Sequence, residues 1–269
     1  MMQLSDSDFQ RMARFMQDNY GINLTKKKQL INNRLSMSLA SEGYESFTQF
    51  VDKLISKKDS SLIELVLSKL TTNYTYFMRE KEHYDFFMNV VLPDISKKNE
   101  NKKVLSIWSA GCSTGEEPYN LSMCLKEYFG VHANQWDTRV LATDISPRVL
   151  AHARNPSYEM PNDIPPSWKT KYFMKRNDGS GMYTVTPEIR KNVIFRTFNL
   201  MDPIRFKLDF DVIFCRNVMI YFDQPTKDAL VQRFYNATKK GGYLMIGHSE
   251  NLSKNCPYQM LRPATFQKR

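Results

Sequence analysis

The sequence predicts an α/β protein in which a small all-helical domain precedes a parallel, doubly wound sheet. Apolar residues recur at helical spacing through about the first 70 residues. From Val104 onward, short apolar strands alternate with helices, which is typical of a parallel sheet. The stretch 158–191 interrupts this alternation with prolines and a turn at Asn177–Gly181, which indicates an inserted small antiparallel hairpin. With 269 residues and 42% hydrophobic content, the chain is long enough to bury a full core.

Residues 1–72 predict a domain of four short amphipathic helices. The first helix follows a capping stretch at Ser5–Asp8 and extends to Tyr20. The second begins after Thr25 and ends before Gly43, because glycine is favoured just beyond a helix end. The apolar residues expected to face the core are Phe9, Met12, Ala13, Met16, Tyr20, Leu30, Ile31, Leu35, Leu39, Phe47, Phe50, Val51, Leu54, Ile55, Leu62, Leu65, Val66 and Leu70.

Residues 73–103 are interpreted as a linker with a connecting helix. A helix is predicted over Lys81–Val91 and is expected to end before Pro93, since proline cannot continue the hydrogen bonding of a helix interior. The lysine-rich stretch Ser96–Lys103 is typical of a solvated loop. The α/β domain then occupies 104–269.

The α/β domain contains several nearly continuous apolar runs, as expected for strands that are covered on both faces. The strand candidates are Val104–Ser109, Arg139–Thr143, Asn192–Phe198, Phe210–Cys215 and Tyr243–Gly247. The helix candidates are Glu116–Phe129, Arg148–Arg154 and Pro225–Lys239, the last ended by Gly241–Gly242. Ligands of such sheets bind beyond the carboxyl ends of the strands, so the residues after each strand are the candidates for a functional site.

The first strand is followed by a turn with two glycines, Gly111 and Gly115, and then by Glu116 and Glu117. Glycines let the backbone approach a ligand closely. The turn is not the GxGxxG dinucleotide fingerprint, and it lacks the lysine of a phosphate-binding loop. The carboxylates would repel a pyrophosphate but suit a cationic or hydroxyl-bearing ligand. The alternative is a glycine turn whose carboxylates only stabilise the helix start.

Acidic and amide residues follow the second and third strands. Asp144 stands where a carboxylate commonly accepts hydrogen bonds from the two ribose hydroxyls of an adenosine ligand. Alternatively it caps the next helix, a role better suited to Ser146 before Pro147. Asn199 and Leu200 offer an amide for the edge of an adenine ring and an apolar side chain for its face, although asparagine is also common in turns.

The fourth strand ends at Cys215 and delivers Arg216, Asn217 and Tyr221 to the carboxyl edge. Arginine and asparagine suit the charged tail of a ligand. Tyr221 suits the lining of a reacting centre. The alternative is that Tyr221 and Phe222 are core aromatics.

Composition restricts the function classes further. The net charge of +10 favours acidic partners, which include nucleic acid, anionic membranes and acidic proteins. We find no signal peptide and no apolar run near the roughly 18 residues that a membrane span needs. The cysteines form no CxxC pair, and His83, His132, His152 and His248 show no metal-ligand spacing. We therefore expect a cytoplasmic protein with free thiols and without a metal.

Four segments carry further information by their order along the chain. They are Thr72–Glu80, Ser113–Tyr119, Cys215–Phe222 and Gly247–Asn251. Together they resemble the CheR family, the chemotaxis receptor methyltransferases that esterify glutamates on transmembrane receptors. The resemblance covers nearly the whole chain. Two differences are Met78, which stands where a phenylalanine is usual before the arginine, and Ala110–Gly111, which varies the turn after the first strand.

The resemblance implies a Rossmann-like, S-adenosylmethionine-dependent methyltransferase sheet with an inserted small antiparallel β-subdomain at about 158–191, preceded by the all-α domain 1–72. It implies a protein-glutamate O-methyltransferase that acts on the cytoplasmic helical region of methyl-accepting chemotaxis receptors and releases S-adenosylhomocysteine. The residues that carry over as cofactor contacts are Asn73, Thr75, Arg79, Glu117, Asp144, Asn199, Leu200, Arg216 and Asn217. Arg79 and Tyr221 carry over as catalytic residues near the transferred methyl group.

The implied reaction needs neither a metal nor a general base, because a glutamate carboxylate is already ionised at neutral pH. We expect a monomer that neither binds nucleic acid nor inserts into a membrane. Two other function classes stay open. A nucleic-acid methyltransferase would suit the charge of +10 but needs an aromatic residue beside the polar motif after the fourth strand, where Arg216–Asn217 offers none. A non-catalytic module that binds S-adenosylmethionine as a signal would not need Arg79 or Tyr221.

Overall fold

A computed structural model of the chain describes residues 2–57, 60–71 and 73–269. The chain divides into two compact units. One consists of Met1–Asn73 and Tyr221–Lys227, and the other of Tyr74–Ile220 and Asp228–Arg269. Thr72, the first residue of the first motif, lies outside the described residues.

The helical unit contains the four predicted helices. They are α1 (Asp6–Tyr20), α2 (Lys28–Ser41), α3 (Phe47–Lys57) and α4 (Ser60–Leu70). Ser5 caps α1, as predicted, by accepting the backbone N–H of Asp8 at 3.0 Å. Gly21 ends the helix in the left-handed conformation.

One residue of the predicted helical core is exposed, and others, such as Phe9 and Leu65, are only half-buried. Leu30 lies in the first turn of α2 and is 39% exposed, whereas Ile31, Leu35 and Leu39 are fully buried. The three buried residues are spaced by four and therefore share one face of the helix. Leu30 points about 100° away from Ile31 around the helix axis, on the solvent side.

A later segment of the chain completes the helical unit. Phe222 forms an antiparallel bridge with Ile22, and the carbonyl of Tyr221 accepts the N–H of Asn23 at 2.8 Å. Gln17 donates to the carboxylate of Asp223 at 3.2 Å. No local sequence pattern links segments so far apart, so this association could not be predicted from the sequence.

The second unit combines a large sheet, a small hairpin and the remaining helices. Its strands are β1 (Ile107–Ala110), β2 (Val140–Asp144), β3 (Phe173–Lys175), β4 (Tyr183–Val185), β5 (Val193–Thr197), β6 (Phe210–Cys215), β7 (Thr238–Ile246), β8 (Gln259–Arg262) and β9 (Thr265–Gln267). Its helices are α5 (Glu82–Phe86), α6 (Leu92–Lys98), α7 (Glu116–Phe129), α8 (Pro147–Arg154), α9 (Pro166–Tyr172), α10 (Pro187–Lys191) and α11 (Gln224–Ala237). The first turn of α11 belongs to the helical unit.

The large sheet has the strand order β5-β2-β1-β6-β7-β9-β8. The first five of these strands run parallel to one another, which confirms the predicted parallel sheet. Adjacent residues of β1 face opposite sides. Ser109 donates to Glu117 of α7 at 2.8 Å, whereas the ring of Trp108 lies 5.4 Å from that of Phe234 in α11. Helices therefore cover both faces, as a doubly wound sheet requires.

The connecting helix is longer than predicted. The helical backbone continues from α5 through a π-helical segment, Phe87–Val91, into α6, so the predicted helix end before Pro93 is wrong. The π-helical segment ends just before Pro93, so the proline lies in the first turn of α6. A proline is tolerated there, because the backbone N–H that it lacks is not needed in the first turn of a helix. The predicted loop at Ser96–Lys103 is also partly wrong. Asn99 is buried and donates to the carboxylate of Asp211 at 2.9 Å.

The glycine pair 241–242 does not end a helix. Helix α11 ends at Ala237, and β7 begins at Thr238 and includes both glycines. A Cβ atom on Gly242 would lie 2.9 Å from the carbonyl oxygen of Asp211, so glycine is required where β7 approaches β6. Strands β8 and β9 extend the sheet as an antiparallel hairpin, which the sequence analysis did not predict.

The stretch between α8 and β5 forms the predicted insertion. Strand β3 pairs antiparallel with β4, and Tyr158 bridges to Tyr183 at the start of β4.

The cysteines Cys112, Cys124, Cys215 and Cys256 are free thiols, as expected. Among the described residues, none of the helices combines the length and apolar character that a membrane span requires.

Candidate functional site

The carboxyl ends of four neighbouring parallel strands define one edge of the sheet. Strands β5, β2, β1 and β6 lie side by side, so the residues that follow them are brought together. This edge carries Asn199 after β5, Asp144 at the end of β2, the loop 111–115 after β1, and Arg216 after β6. The structure therefore brings together residues that lie up to 105 positions apart in the sequence, from Gly111 to Arg216.

Arg216 is the centre of a buried charged network, and its side chain is only 2% exposed. Its Nη1 atom donates to Glu117 Oε2 at 2.9 Å and to the Tyr84 hydroxyl at 3.1 Å. Its Nη2 atom donates to Glu80 Oε2 at 3.1 Å and to the carbonyl of Arg79. Burial opposes ionisation, but the pKa of Arg216 is raised by Tyr84, Glu117 and Glu80. We refer to Glu80, Tyr84, Glu117 and Arg216 as the Arg216 cluster.

Glu80 joins three segments of this unit, although the sequence analysis assigned it no role. Besides Arg216, it accepts Asn217 Nδ2 at 3.3 Å and the backbone N–H of His248 at 3.2 Å. Burial acts against ionisation, but the charge of Arg216 and these hydrogen bonds lower the pKa of Glu80. The backbone of Glu80 has a φ of +55°, a left-handed conformation that is uncommon for residues other than glycine. Its place in the first motif was the available signal.

The loop after β1 is tied to β2 by its backbone. The N–H groups of Gly111 and Cys112 both donate to the carbonyl of Thr143, at 2.8 and 2.9 Å. Gly111 has a φ of +82°, and a Cβ atom there would lie 2.3 Å from Val218 Cγ2. Glycine is therefore required at this position both by conformation and by the close approach of the loop after β6.

Asp144 is oriented by backbone donors on both of its oxygens. Oδ2 accepts the N–H of Ser113 at 2.8 Å, and Oδ1 accepts the N–H of Ser146 at 3.0 Å. Burial raises the pKa of Asp144, although the backbone hydrogen bonds oppose the shift. Ser146 caps α8 by accepting the N–H of Val149. The helix therefore has a cap of its own, and Asp144 is not needed for that role.

Glu250 holds the loop after β6 against the end of β7. It accepts the backbone N–H groups of Gly247 at 2.7 Å, Asn217 at 2.9 Å and Ile220 at 3.2 Å. A Cβ atom on Gly247 would lie 2.5 Å from Asn217 Nδ2. The fourth motif therefore fixes the position of Asn217, a role that the sequence analysis did not identify.

Asn199 and Leu200 follow β5 in a tight turn. Asn199 Oδ1 accepts the N–H of Met201 at 3.0 Å, which is the local pattern expected of asparagine in turns. Leu200 is 9% exposed, and its carbonyl accepts Arg233 Nη2 at 2.7 Å. The turn is thus anchored to α11 and presents Asn199 at the carboxyl edge.

Arg79 and Thr75 lie in the segment that precedes α5. Thr75 is half-buried. Arg79 donates Nη1 to the carbonyl of Tyr74 at 2.7 Å, and its guanidinium lies 6.0 Å from the centre of the Tyr76 ring. Tyr74 and Tyr76 are 67% and 39% exposed, so this segment presents two aromatic rings to solvent beside Arg79.

Two predicted site residues, Asn73 and Tyr221, belong to the helical unit. Asn73 accepts from Thr71 Oγ1 at 3.5 Å. Tyr221 is half-buried, and Lys27 Nζ lies 5.6 Å from the centre of its ring. Phe222 is buried, so the interpretation as a core aromatic applies to Phe222 rather than to Tyr221.

The structure brings together two histidines that the sequence separates. The rings of His83 and His248 have centres 4.6 Å apart, and His83 Nδ1 lies 3.4 Å from Glu80 Oε2. The candidate ligand atoms of these three residues lie within 4.8 Å of one another. Histidine and glutamate are zinc ligands in other proteins. Here Arg216 and the backbone of His248 already donate to Glu80 Oε2, and they would compete with a metal for it.

His83 is expected to make the stability of the protein depend on pH. It is fully buried, and burial together with the charge of Arg216 lowers its pKa from 6.5 to about 3. In the unfolded chain His83 binds a proton below about pH 6.5, but in the folded protein it binds one only below about pH 3. Stability is therefore lost as the pH falls through this window, by about 1.4 kcal/mol per pH unit.

Urea unfolding at pH 6.5 and pH 5 tests this prediction. The free energy of unfolding should fall by about 2 kcal/mol more in the wild type than in His83→Phe, which keeps a buried ring but cannot titrate. His132 is exposed, so His132→Gln should retain the pH dependence of the wild type. Equal losses in the wild type and His83→Phe would show that His83 titrates normally in the folded protein.

Comparison with known proteins identifies the family. Residues 73–266 match the CheR methyltransferase, SAM binding domain, and residues 7–71 match the CheR methyltransferase, all-alpha domain. The chemotaxis protein methyltransferase of Borreliella burgdorferi is 41% identical over 275 residues, which covers 98% of this chain and 95% of that protein. Chemotaxis protein methyltransferase 1 of Pseudomonas aeruginosa is 35% identical, over 97% of this chain and 96% of that protein.

The chemotaxis protein methyltransferase of Escherichia coli is 36% identical, over 93% of this chain and 86% of that protein. These matches extend over both structural units and confirm the family that the four motifs resemble. The chain therefore belongs to the CheR family of S-adenosylmethionine-binding methyltransferases.

Proposed function

We propose that this chain transfers the methyl group of S-adenosylmethionine to glutamate carboxylates in the cytoplasmic helical region of chemotaxis receptors. The observation that carries the proposal is the sheet edge itself. In a chain of the CheR family, Asp144 ends β2 and the Arg216 cluster follows β6 at the same edge. The products of this reaction are a glutamate methyl ester and S-adenosylhomocysteine.

Residues at this edge fit the cofactor. Arg216 Nε is buried and has no hydrogen-bond partner among the described residues, so one N–H of this guanidinium remains for a ligand. Backbone N–H groups of Ser113, Ser146 and Ile145 hold the Asp144 carboxylate at the end of β2, where it can accept hydrogen bonds from the ribose hydroxyls. Glu117 offers a carboxylate to the cationic end of the ligand. When bound, S-adenosylmethionine supplies the electrophilic methyl group.

The proposed cofactor contacts divide by chemistry. Asp144 binds the ribose, Asn199 and Leu200 bind the adenine ring, and the charged amino-acid tail meets residues that follow β1 and β6. The residues proposed for the tail and the neighbouring segment are Glu117, Arg216, Asn217, Asn73, Thr75 and Arg79.

Arg79 and Tyr221 are the proposed catalytic residues. Arg79 holds the substrate carboxylate, and Tyr221 orients it with its hydroxyl. The substrate glutamate is ionised at neutral pH, so no side chain has to remove a proton. Alignment and exclusion of water can account for several kcal/mol of the barrier. Because negative charge leaves the carboxylate as the ester forms, Arg79 contributes by orientation rather than by tight binding.

The remaining proposals concern partners and location. We propose a cytoplasmic monomer that needs no metal and binds no nucleic acid, with functional domains at 1–72, 73–103 and 104–269. The basic residues Lys26, Lys27, Lys28 and Arg34 are proposed to meet acidic receptor helices. Lys28 also pairs with Asp6 at 2.6 Å, and Arg34 donates to the carbonyl of Lys69 at 2.9 Å.

Titration calorimetry with S-adenosylhomocysteine tests the cofactor site. The wild type should bind it, and Asp144→Ala should bind it about 100-fold more weakly, because two hydrogen bonds to a charged acceptor are lost. Asp163 is exposed, so Asp163→Ala is the matched control and should bind like the wild type. Asp144→Asn keeps one acceptor and should lie between them. A folded wild type that does not bind would overturn the proposed function.

Methyl transfer then separates the possible substrates. Radiolabel from S-adenosylmethionine should appear in receptor-containing membranes and should be released as methanol by mild base, which is characteristic of methyl esters. Label in nucleic acid instead would favour a nucleic-acid methyltransferase. Binding without any transfer would favour a signalling module.

A further inference from the structure

Two tyrosine side chains lie in solvent beside Arg79, the residue proposed to hold the substrate carboxylate. Tyr74 is 67% exposed and Tyr76 is 39% exposed. The centres of their rings are 5.6 Å apart, so the two side chains lie on the same side of the segment. Tyrosine is among the residues that contribute most to protein–protein binding when a partner covers it. The pair is therefore a candidate contact surface for a protein substrate.

The segment that carries the two tyrosines is held in place by the residues that follow it. Phe77 is buried, and the centre of its ring lies 4.9 Å from that of Tyr158 and 5.1 Å from that of Phe173 in β3. The carbonyl of Arg79 accepts Arg216 Nη2, which ties the turn to the sheet edge. Because the backbone is anchored, a partner that binds the exposed rings loses little free energy in ordering them.

Arg79 connects the tyrosines to the proposed chemistry. Its Nη1 atom donates to the carbonyl of Tyr74 at 2.7 Å, and its guanidinium lies 6.0 Å from the centre of the Tyr76 ring. Within the described residues, these are the groups that the guanidinium contacts, so N–H donors remain for a carboxylate. A glutamate that binds Arg79 therefore arrives beside the two rings.

A helical substrate places its own side chains at a matching distance. On one face of a helix, residues three or four positions apart have Cβ atoms about 5–6 Å apart. The ring of Tyr76 lies at a similar distance, 6.0 Å, from the Arg79 guanidinium. When one glutamate of a receptor helix binds Arg79, the side chain one turn along the same face is therefore in reach of the tyrosines.

We propose that Tyr74 and Tyr76 bind the receptor residue one helical turn from the methyl-accepting glutamate, and thereby select which glutamates are methylated. This inference rests on the proposed function. An apolar side chain is favoured at that receptor position, because it covers the two rings and removes apolar surface from water. An acidic side chain is disfavoured, because the face of an aromatic ring is electron-rich and repels a carboxylate.

The kinetics of methyl transfer to receptor-containing membranes test the proposal. Tyr74→Ala removes the more exposed ring but keeps the backbone carbonyl that orients Arg79. The KM for the receptor should rise about tenfold and kcat should change less than about twofold, while the affinity for S-adenosylhomocysteine stays unchanged. Tyr74→Phe keeps the ring and should behave like the wild type. Leu208 is 59% exposed and precedes β6 at the opposite edge of the sheet, so Leu208→Ala is the matched control.

Substitutions in the receptor identify the contact itself. Once mass spectrometry has located the methylated glutamate, aspartate is introduced singly at the receptor positions three and four residues from it. At least one of these substitutions should raise the KM of the wild type more than that of Tyr74→Ala, since groups in contact give non-additive effects.

Three results would overturn the proposal. They are an unchanged KM in Tyr74→Ala, additive effects at every tested receptor position, and weaker binding of S-adenosylhomocysteine by Tyr74→Ala, which would place the ring in the cofactor site. A wild type that methylates no receptor would contradict the proposed function instead, so the two failures are distinguishable.

Discussion

In an Arg216→Met variant we expect methyl transfer to be lost and the free energy of unfolding to fall by about 3–5 kcal/mol. Methionine fills much of the volume but leaves Glu80 and Glu117 buried without a cation. The hydroxyl of Tyr84 and the carbonyl of Arg79 also lose their donor. Breaking a buried ion pair from one side is costly, because the remaining charges have lost both water and partner.

Urea unfolding of three variants checks this prediction. Arg196 is exposed on β5, so Arg196→Met should change stability by less than about 0.5 kcal/mol. Adding Glu80→Gln and Glu117→Gln to Arg216→Met removes the unpaired charges. That triple variant should regain most of the lost stability and none of the activity. If the triple variant were no more stable than Arg216→Met, unpaired charge would not be the cause of the loss.

The second large effect is expected in Gly111→Ala. The φ of +82° costs an alanine about 1–2 kcal/mol, and the new methyl group would lie 2.3 Å from Val218 Cγ2. Valine is stiff about its χ1 angle, so relief requires movement of the loop after β6 at a further cost of about 1–3 kcal/mol. We expect a total loss of about 2–5 kcal/mol and weaker binding of S-adenosylhomocysteine, because the same loop carries Arg216 and Asn217.

Gly179 provides the matched control for Gly111. It has a φ of +74°, and a Cβ atom there would meet nothing within 4 Å. The difference between Gly111→Ala and Gly179→Ala in urea unfolding therefore measures the overlap alone. Val218→Ala combined with Gly111→Ala should recover that difference but not the conformational cost. Equal losses of unfolding free energy in the two variants would show that the loop after β6 moves aside at no measurable cost.

Sequence patterns predicted the elements that depend on local chemistry. The capping of α1 by Ser5, the glycine turn after β1 and the position of Asp144 at a strand end all follow from short-range rules of capping, conformation and sheet topology. The continuation through Pro93 did not follow, because a π-helical turn that accommodates proline leaves no mark in the apolar spacing.

The interior of the candidate site was predictable only in part. The motifs contain Arg216 and Glu117, but the residue types do not reveal that these two side chains also bind each other. The role of Glu80 could not be predicted for the same reason, since a glutamate in a motif gives no indication of which distant group it contacts. His83 and His248 were judged by spacing along the chain, whereas the fold brings their rings into contact.

The contact between Glu80 and Arg216 has a consequence for how the protein is made. The two residues are 136 positions apart in the chain. Closing a loop of that length costs about 4 kcal/mol of conformational entropy. During synthesis, most of the domain has to leave the ribosome before β6 exists to supply Arg216. Until then the segment around Glu80 carries a lone carboxylate, so a chain truncated before β6 lacks the cation that stabilises it. The ability to bind the cofactor should therefore appear late in folding, when the central strands have joined.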